Sequence, residues 1–238
     1  MNKPIRNLAV ACMVLFVCLL INVTYVQYWQ ADNLTSLSKH PDNKRVRDAE
    51  FSRERGSIFV RGKAVAESNK SKDAYKFQRV YPLGKEYAHL TGFFSRDWGL
   101  GGIESGENSI LSGSDSSLFV NRVIDLVDNQ APKGGSVTLT VNPAAQKAAY
   151  DGLKALGDNV QGAVVAIEPS TGKILAMVSS PSYDPNILAS HNFNQVGKIK
   201  QRLEQEKLSP LNNRAIEEVL PPGSTFKLVT AAAALDSG

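Results

Sequence analysis

Thiols are nearly missing from this sequence: of its 238 residues only Cys12 and Cys18 are cysteines, and both fall inside one apolar run near the N-terminus. Everything after residue 18 is thiol-free, which excludes a disulfide framework and cysteine-ligated zinc there. Histidine is scarce as well. His40, His89 and His191 stand far apart without an HExxH spacing and read as ordinary surface or loop histidines, so neither a metal nor a cofactor is expected. Charge of one sign is not concentrated anywhere. The net charge is +4, but acidic residues share the same stretches as basic ones, as in Arg53-Glu54-Arg55. Without a basic stripe to neutralise phosphates, nucleic acid is not an expected partner. Internal repeats and low-complexity tracts are also missing. What remains, 42% apolar and 21% charged residues, is ordinary globular material, enough for one substantial domain or two smaller ones.

Leu8 to Val26 is a run of 19 residues whose polar members are Asn22 and Thr24. At about 1.5 Å rise per residue, a helix of that length covers the hydrocarbon thickness of a bilayer. Gln27-Tyr28-Trp29 supplies interfacial aromatics. Lys3 and Arg6 favour a cytoplasmic N-terminus, which places the rest outside, although Lys39, Lys44, Arg45 and Arg47 on that outer side count against this orientation. A cleaved signal peptide is the competing reading, but the run is long for one and lacks a small-x-small cleavage site after it. Residues 1–30 are therefore expected to be a cytoplasmic tail and single-pass membrane anchor.

From Ala31 to about Gly135 the sequence is polar and loop-rich. Strand-like pieces such as Gly56 to Val60 and turn signals at Arg61-Gly62 and Gly101-Gly102 predict a β-rich module with few helices. Leu118 to Val127 has the apolar spacing of a short amphipathic helix, and Ala131-Pro132-Lys133-Gly134-Gly135 breaks it, so a domain boundary is placed between residues 135 and 136. Beyond it, Ser136 to Val141 alternates as a strand, Asn142 can cap a helix, and Pro143 suits its first position. Ala145, Ala148, Ala149, Leu153 and Leu156 mark the predicted buried face. Gly162 to Ile167 and Lys173 to Val178 flank the turn sequence Glu168-Pro169-Ser170-Thr171-Gly172 and predict an antiparallel hairpin. A helix on an antiparallel sheet implies an α+β domain over residues 136–238.

Chemistry is concentrated at Leu220-Pro221-Pro222-Gly223-Ser224-Thr225-Phe226-Lys227, where Ser and Lys sit three residues apart at the start of an apolar helix. Positions i and i+3 share a helix face, so the Lys227 amine can approach the Ser224 hydroxyl. A serine hydroxyl is a weak nucleophile, and a lysine serves as its base where burial favours the neutral amine. The apolar continuation Leu228 to Leu235 predicts that burial. The helix N-terminus adds roughly 0.3 to 1 kcal/mol of stabilisation for negative charge, small beside the hundred- to ten-thousand-fold typical of general-base catalysis. The spacing itself is common, for S-x-x-K recurs at Ser36-Lys39 and at Ser170-Lys173. Taken alone, Ser224 reads more readily as a plain N-cap with Lys227 snorkelling to solvent.

The order of the pieces, however, resembles class B high-molecular-weight penicillin-binding proteins, of the penicillin-binding protein A type, over most of the chain. Arg55-Gly56-Ser57-Ile58-Phe59, Gly101-Gly102-Ile103-Glu104 and Leu139 to Gln146 resemble the family's membrane-proximal, glycine-rich acidic and domain-entry segments. Ala163 to Met177, Pro181 to Asn186, Asn213-Arg214-Ala215 and Pro222 to Lys227 follow in register. The resemblance implies a β-rich, non-catalytic pedestal or dimerisation domain over 31–135. It also implies the first part of a penicillin-binding, serine β-lactamase-like transpeptidase domain over 136–238. By the same resemblance, Ser224 is the acyl-ester nucleophile, Lys227 the general base, and the Ser224 backbone N–H one oxyanion donor. The implied reaction is D,D-transpeptidation of peptidoglycan stem peptides, with β-lactam antibiotics acylating the same oxygen. The setting is cell wall organisation, division and shape, with other wall-synthesis or division proteins as partners.

The chain departs from the family pattern in two ways: K-T-G does not occur, and Ser190-His191-Asn192, which has the form S-x-N, precedes Ser224 instead of following it. A truncated product, inactive alone, is therefore expected. The rival readings are a membrane-anchored scaffold for wall or division proteins and a β-lactamase or carboxypeptidase using the same motif. A Ser-His-Asp hydrolase is weaker, since G-x-S-x-G does not occur.

Overall fold

The structure is a computed structural model and describes residues 3–30, 44–118, 133–157, 159–219 and 221–237. It divides into two compact units, residues 1–51 and 52–238. The first contains helix α1, Lys3–Tyr28, and helix α2, Lys44–Phe51. α1 is apolar from Leu8 to Val26 but for Asn22 and Thr24 and buries none of its side chains, so it is long and apolar enough to cross a membrane.

The second unit is mixed α and β. Its first strands are β1 (Ile58–Val60), β2 (Lys63–Lys70) and β3 (Phe77–Val80). β1 and β2 form a hairpin across Arg61 and Gly62, both at positive φ, which is the left-handed pair that a two-residue hairpin turn requires. Short elements follow: α3 (Ala88–Thr91), β4 (Phe94–Ser95), β5 (Gly99–Leu100), α4 (Gly102–Gly106) and α5 (Asn108–Leu111). The helix predicted at Leu118 to Val127 lies, apart from Leu118, outside the described residues.

Strand β6, Val137–Leu139, joins the same sheet beside β1 in a parallel pairing, giving the order β3-β2-β1-β6. The sheet is therefore mixed, not purely antiparallel. Gly56 and Gly134 make this joint possible. A Cβ at Gly56 would stand 1.8 Å from the Gly135 carbonyl oxygen, and one at Gly134 would stand 1.9 Å from the Leu111 carbonyl oxygen. Without side chains, Gly56 N–H donates to Leu111 O and Gly134 N–H to Glu54 O, both at 2.9 Å.

Helix α6, Pro143–Ala155, begins as its sequence predicts, with the Asn142 side chain accepting from the N–H groups of Ala144 and Ala145. Strands β7 (Gly162–Ile167) and β8 (Ile174–Ser180) form the expected antiparallel hairpin. The buried face of α6 is rotated from the predicted one: Ala148 and Leu156 are exposed, while Gln146 and Leu153 are buried. Gln146 is polar and so lies outside any apolar stripe, yet it is buried through its hydrogen bonds. Its Oε1 accepts from Met177 N–H at 2.9 Å, and its Nε2 donates to Met177 O at 2.9 Å and to Glu86 O at 2.8 Å. One amide thus stands in for a strand neighbour of β8.

Short helix α7, Pro185–Leu188, and helix α8, Phe193–Gln205, follow, and α9, Phe226–Ser237, ends the described chain. The main core runs through both halves of the unit. Ile58, Val60, Val65, Tyr81, Tyr87, Leu90 and Leu111 pack with Val141, Met177 and Ala189. A smaller core holds Ala88, Tyr183, Leu188 and Val196.

Candidate functional site

The serine motif sits where the sequence places it, at a helix start. Gly223–Thr225 form a single 3-10 turn, Gly223 taking positive φ, and α9 continues from Phe226. Thr225 N–H donates to Pro222 O at 3.3 Å and the Thr225 hydroxyl donates to the same carbonyl. The turn is thus closed by its neighbour, and Ser224 makes no capping hydrogen bond among the described residues.

The expected burial is not found. Every described residue of this segment is exposed, including Ser224, Lys227 and the apolar Phe226 (56%), Leu228 (75%) and Leu235 (86%). From Leu228 to Leu235 the helix is apolar but for Thr230, and among the described residues nothing encloses it. No hydrogen bond joins Ser224 to Lys227 in this arrangement, and no described element forms a second wall beside the hydroxyl.

What precedes the motif is firmly built. Asn213 and Arg214 are buried. Asn213 Nδ2 donates to His89 O at 3.1 Å and lies 3.6 Å from the Met177 sulfur. Arg214 N–H donates to Ser179 Oγ at 3.1 Å, its Nη1 to Ser209 O at 3.3 Å and its Nη2 to Leu208 O at 2.5 Å. The same guanidinium meets Glu218 at 3.1 Å. The approach to the motif is thereby pinned to β8 and α3 as far as Glu218, after which Val219 is 97% exposed.

His89 is not the surface residue expected. It is buried, and its Nε2 lies 2.9 Å from Pro210 O; since a carbonyl only accepts, Nε2 carries the proton. Burial holds its pKa below the usual imidazole value, partly opposed by the bond to Pro210. His191 pairs with Asp73 at the surface, which lowers the Asp73 pKa through that hydrogen bond. Ser190-His191-Asn192 forms the entry to α8, with Asn192 Oδ1 accepting from Gln195 N–H. Of the other S-x-x-K copies, Ser170-Lys173 lies in the β7–β8 turn and Ser36-Lys39 lies outside the described residues.

The most elaborate polar construction lies elsewhere. Glu104, fully buried, accepts from Arg55 Nε at 2.5 Å and from Arg79 Nε at 2.7 Å, and Tyr81 hydroxyl donates to it at 3.1 Å. Arg55 Nη2 also reaches the Glu104 carbonyl at 2.8 Å, and Arg79 Nη1 the Gly56 carbonyl at 2.8 Å. Desolvation first, and the neighbouring carboxylate second, push the Tyr81 hydroxyl well above the ordinary tyrosine value. In the sequence Arg55 and Glu104 belong to two separate segments, and nothing there joins them to Arg79 or Tyr81. One arginine in a short strand carries no periodic signal.

Residues 55–137 match the penicillin binding protein A dimerisation domain, and residues 162–238 match the penicillin binding protein transpeptidase domain. The chain belongs to the penicillin-binding protein family. Among curated relatives of this family, the peptidoglycan D,D-transpeptidase PbpA of Mycolicibacterium smegmatis is 46% identical, the match covering 100% of this chain and 48% of that protein. PbpA of Mycobacterium tuberculosis is 47% identical with the same coverage. The chain thus spans about half the length of the curated relatives it matches. A solved structure of penicillin-binding protein A from M. tuberculosis, an imipenem acyl-enzyme complex, superposes with TM-score 0.76 at 49% identity, covering 79% of this chain and 44% of that one. The D,D-transpeptidase domain of a peptidoglycan glycosyltransferase from Eggerthella lenta superposes with TM-score 0.60 at 34% identity, covering 78% of this chain and 38% of that one.

Proposed function

We propose that the whole protein of which this chain is the N-terminal part cross-links peptidoglycan, with Ser224 as nucleophile and Lys227 as general base. The observation that carries this reading is the Ser224-x-x-Lys227 pair at the start of an apolar helix. It lies within a transpeptidase-family segment, in a chain 46% identical along its length to a peptidoglycan D,D-transpeptidase. Lys227 takes the Ser224 proton as Oγ attacks the penultimate D-alanyl carbonyl of a stem peptide. The C–N bond breaks, D-alanine leaves with the proton, and an acyl ester remains. An amine of a neighbouring stem then displaces the serine oxygen. The Ser224 N–H donates to the oxyanion formed in each step. A β-lactam follows the first half only, its ring C–N bond opening onto the same oxygen.

In this reading residues 1–30 anchor the protein in the cell membrane with the N-terminus cytoplasmic. Residues 31–135 form a non-catalytic pedestal on which other wall-synthesis or division proteins can dock, and 136–238 begin the catalytic domain. A scaffold role for the chain is the second reading, favoured by the contrast between the tightly built network around Glu104 and the exposed serine helix. Fluorescent penicillin followed by mass spectrometry of the labelled peptide tests the first reading on the whole protein. A one-to-one adduct on Ser224 supports it, and an adduct elsewhere, or full labelling of a Ser224→Ala variant, overturns it.

A further inference from the structure

Asn213-Arg214-Ala215 takes no part in the chemistry proposed for Ser224, yet it is held on every side. Ser179 Oγ, at the end of β8, accepts from Arg214 N–H and donates to Asn212 O, both at 3.1 Å. The Arg214 guanidinium reaches both ways along the chain. Nη1 donates back to Ser209 O at 3.3 Å and Nη2 to Leu208 O at 2.5 Å, while Nε lies 3.1 Å forward from Glu218 Oε2. That forward contact is one of charge, because Nε is not aimed at the oxygen as a hydrogen bond requires. Between them, Asn213 O accepts from Ile216 N–H at 3.0 Å and Glu217 N–H at 2.8 Å, and the Glu217 carboxylate accepts from Asn213 N–H at 3.0 Å. One buried side chain thus closes residues 208–218 into a loop whose exit is Glu218.

From that exit the chain runs to Ser224 through Val219, Leu220, Pro221, Pro222 and Gly223, a stretch that spans about 20 Å when fully extended. A limp connection of that length would leave the serine oxygen free over many ångströms. Pro221 and Pro222 stiffen it, since each ring fixes φ, at −65° for Pro222, and Gly223 leads directly into the turn that carries Ser224. We propose that Arg214 is a positioning residue for Ser224: by clasping Leu208, Ser209 and Glu218 together it fixes the origin of the proline-stiffened connection, and through it the place of the Ser224 hydroxyl in the whole protein. Arginine suits the task because its planar fork donates to two neighbouring carbonyls while its charge faces the carboxylate, a geometry that a lysine ammonium does not hold. A reacting group misplaced by about 1 Å commonly loses about a hundredfold in rate, so small slack at Glu218 reaches the chemistry. The inference rests on the reading of Ser224 as nucleophile.

The test uses the whole protein and fluorescent penicillin, with the acylation rate followed against drug concentration so that first binding and bond formation are separated, and the final adduct counted per chain. Glu218→Ala removes the forward contact at a side chain that is 41% exposed, so it leaves the fold in place even where Arg214→Ala does not. Glu218→Ala and Arg214→Lys are each expected to slow bond formation about tenfold or more, with first binding unchanged and one adduct still formed per chain. A purely structural role gives a different signature: fewer chains able to react, each at the original rate. Gln146→Leu, which loosens the fold away from the connection, is the control and is expected to keep the original rate. The inference is overturned if Glu218→Ala and Arg214→Lys acylate at the original rate, if their loss appears only as a smaller adduct count, or if Gln146→Leu slows bond formation as much as they do. Absence of a Ser224 adduct in the unaltered whole protein would instead overturn the nucleophile reading beneath it.

Discussion

Glu104 holds Arg55 Nε at 2.5 Å in a place where the two side chains are 0% and 3% exposed, and the pair ties the start of the second unit to a helix forty-nine residues away. A single buried ion pair is weak grounds for stability, because removing two charges from water costs about as much as their attraction returns. Here the carboxylate also meets Arg79 and Tyr81, so its lone pairs are filled and the arrangement is specific.

Removing the carboxylate should therefore be severe. Glu104→Ala leaves two buried guanidinium groups without a counter-charge and is expected to cost about 3 to 5 kcal/mol of unfolding free energy. Lys133→Ala, which removes an exposed pair with Glu54 at 3.5 Å, is expected to cost under about 1 kcal/mol. Urea unfolding of the detergent-solubilised chain carrying Trp29→Phe, followed by Trp98 fluorescence, separates the two.

Gln146 offers a test of a neutral network. Gln146→Leu keeps the volume but strands the N–H and C=O of Met177, and each buried unpaired group costs about 1 to 3 kcal/mol. The same unfolding assay should show the loss, with hydrogen exchange at Met177 accelerated ahead of its β8 neighbours. Unchanged exchange at Met177 would mean that water replaces the amide.

Local chemistry was legible in the sequence where a residue type has one common use. The Asn142-Pro143 entry of α6, the Arg61-Gly62 turn and the β7–β8 hairpin formed as their residues dictate. Burial read from apolar spacing was less secure. On α6 a glutamine took a core place because an edge strand needed a hydrogen-bond partner, and no hydrophobic pattern encodes that need. The parallel β1–β6 pairing depends on glycines seventy-eight residues apart, Gly56 and Gly134, whose closeness is a property of the fold. At the site, Ser224 and Lys227 were visible as a motif, but the enclosure of α9 was inferred from its composition, and composition says only that a helix needs covering, not what covers it.

Acid should loosen the approach to the motif through His89. The folded imidazole is neutral and resists protonation because it is buried, whereas in the unfolded chain it binds a proton below about pH 6.5. The unfolded state then holds more protons, so stability is full above that pH and falls as pH drops below it, until the folded imidazole also titrates. Thermal unfolding between pH 5 and 8 should show this decline, and His89→Gln, which takes up no proton, should show less of it. An equal decline in both would assign the effect to other groups.

Lys227 decides between two accounts of how the serine is activated. If the helix N-terminus alone sharpens Ser224, its contribution of about 0.3 to 1 kcal/mol, or about 2 when partly buried, survives the replacement of Lys227, and acylation should slow little. A general base contributes about a hundred- to ten-thousand-fold. Lys227→Met keeps the side-chain length and removes the amine, so in the whole protein it should lower the rate of penicillin acylation into the second range and flatten its dependence on pH. Ser224→Ala should abolish the adduct altogether. In the chain as arranged here, with both side chains in water and nothing beside the hydroxyl to exclude it, acylation should be slow even with both residues intact, since no described group beyond the helix N-terminus is placed to stabilise the oxyanion there. Rapid stoichiometric labelling of this chain would show that the pair does not require a dry enclosure, and a Lys227→Met variant of the whole protein that acylates at the original rate would remove the lysine from the mechanism.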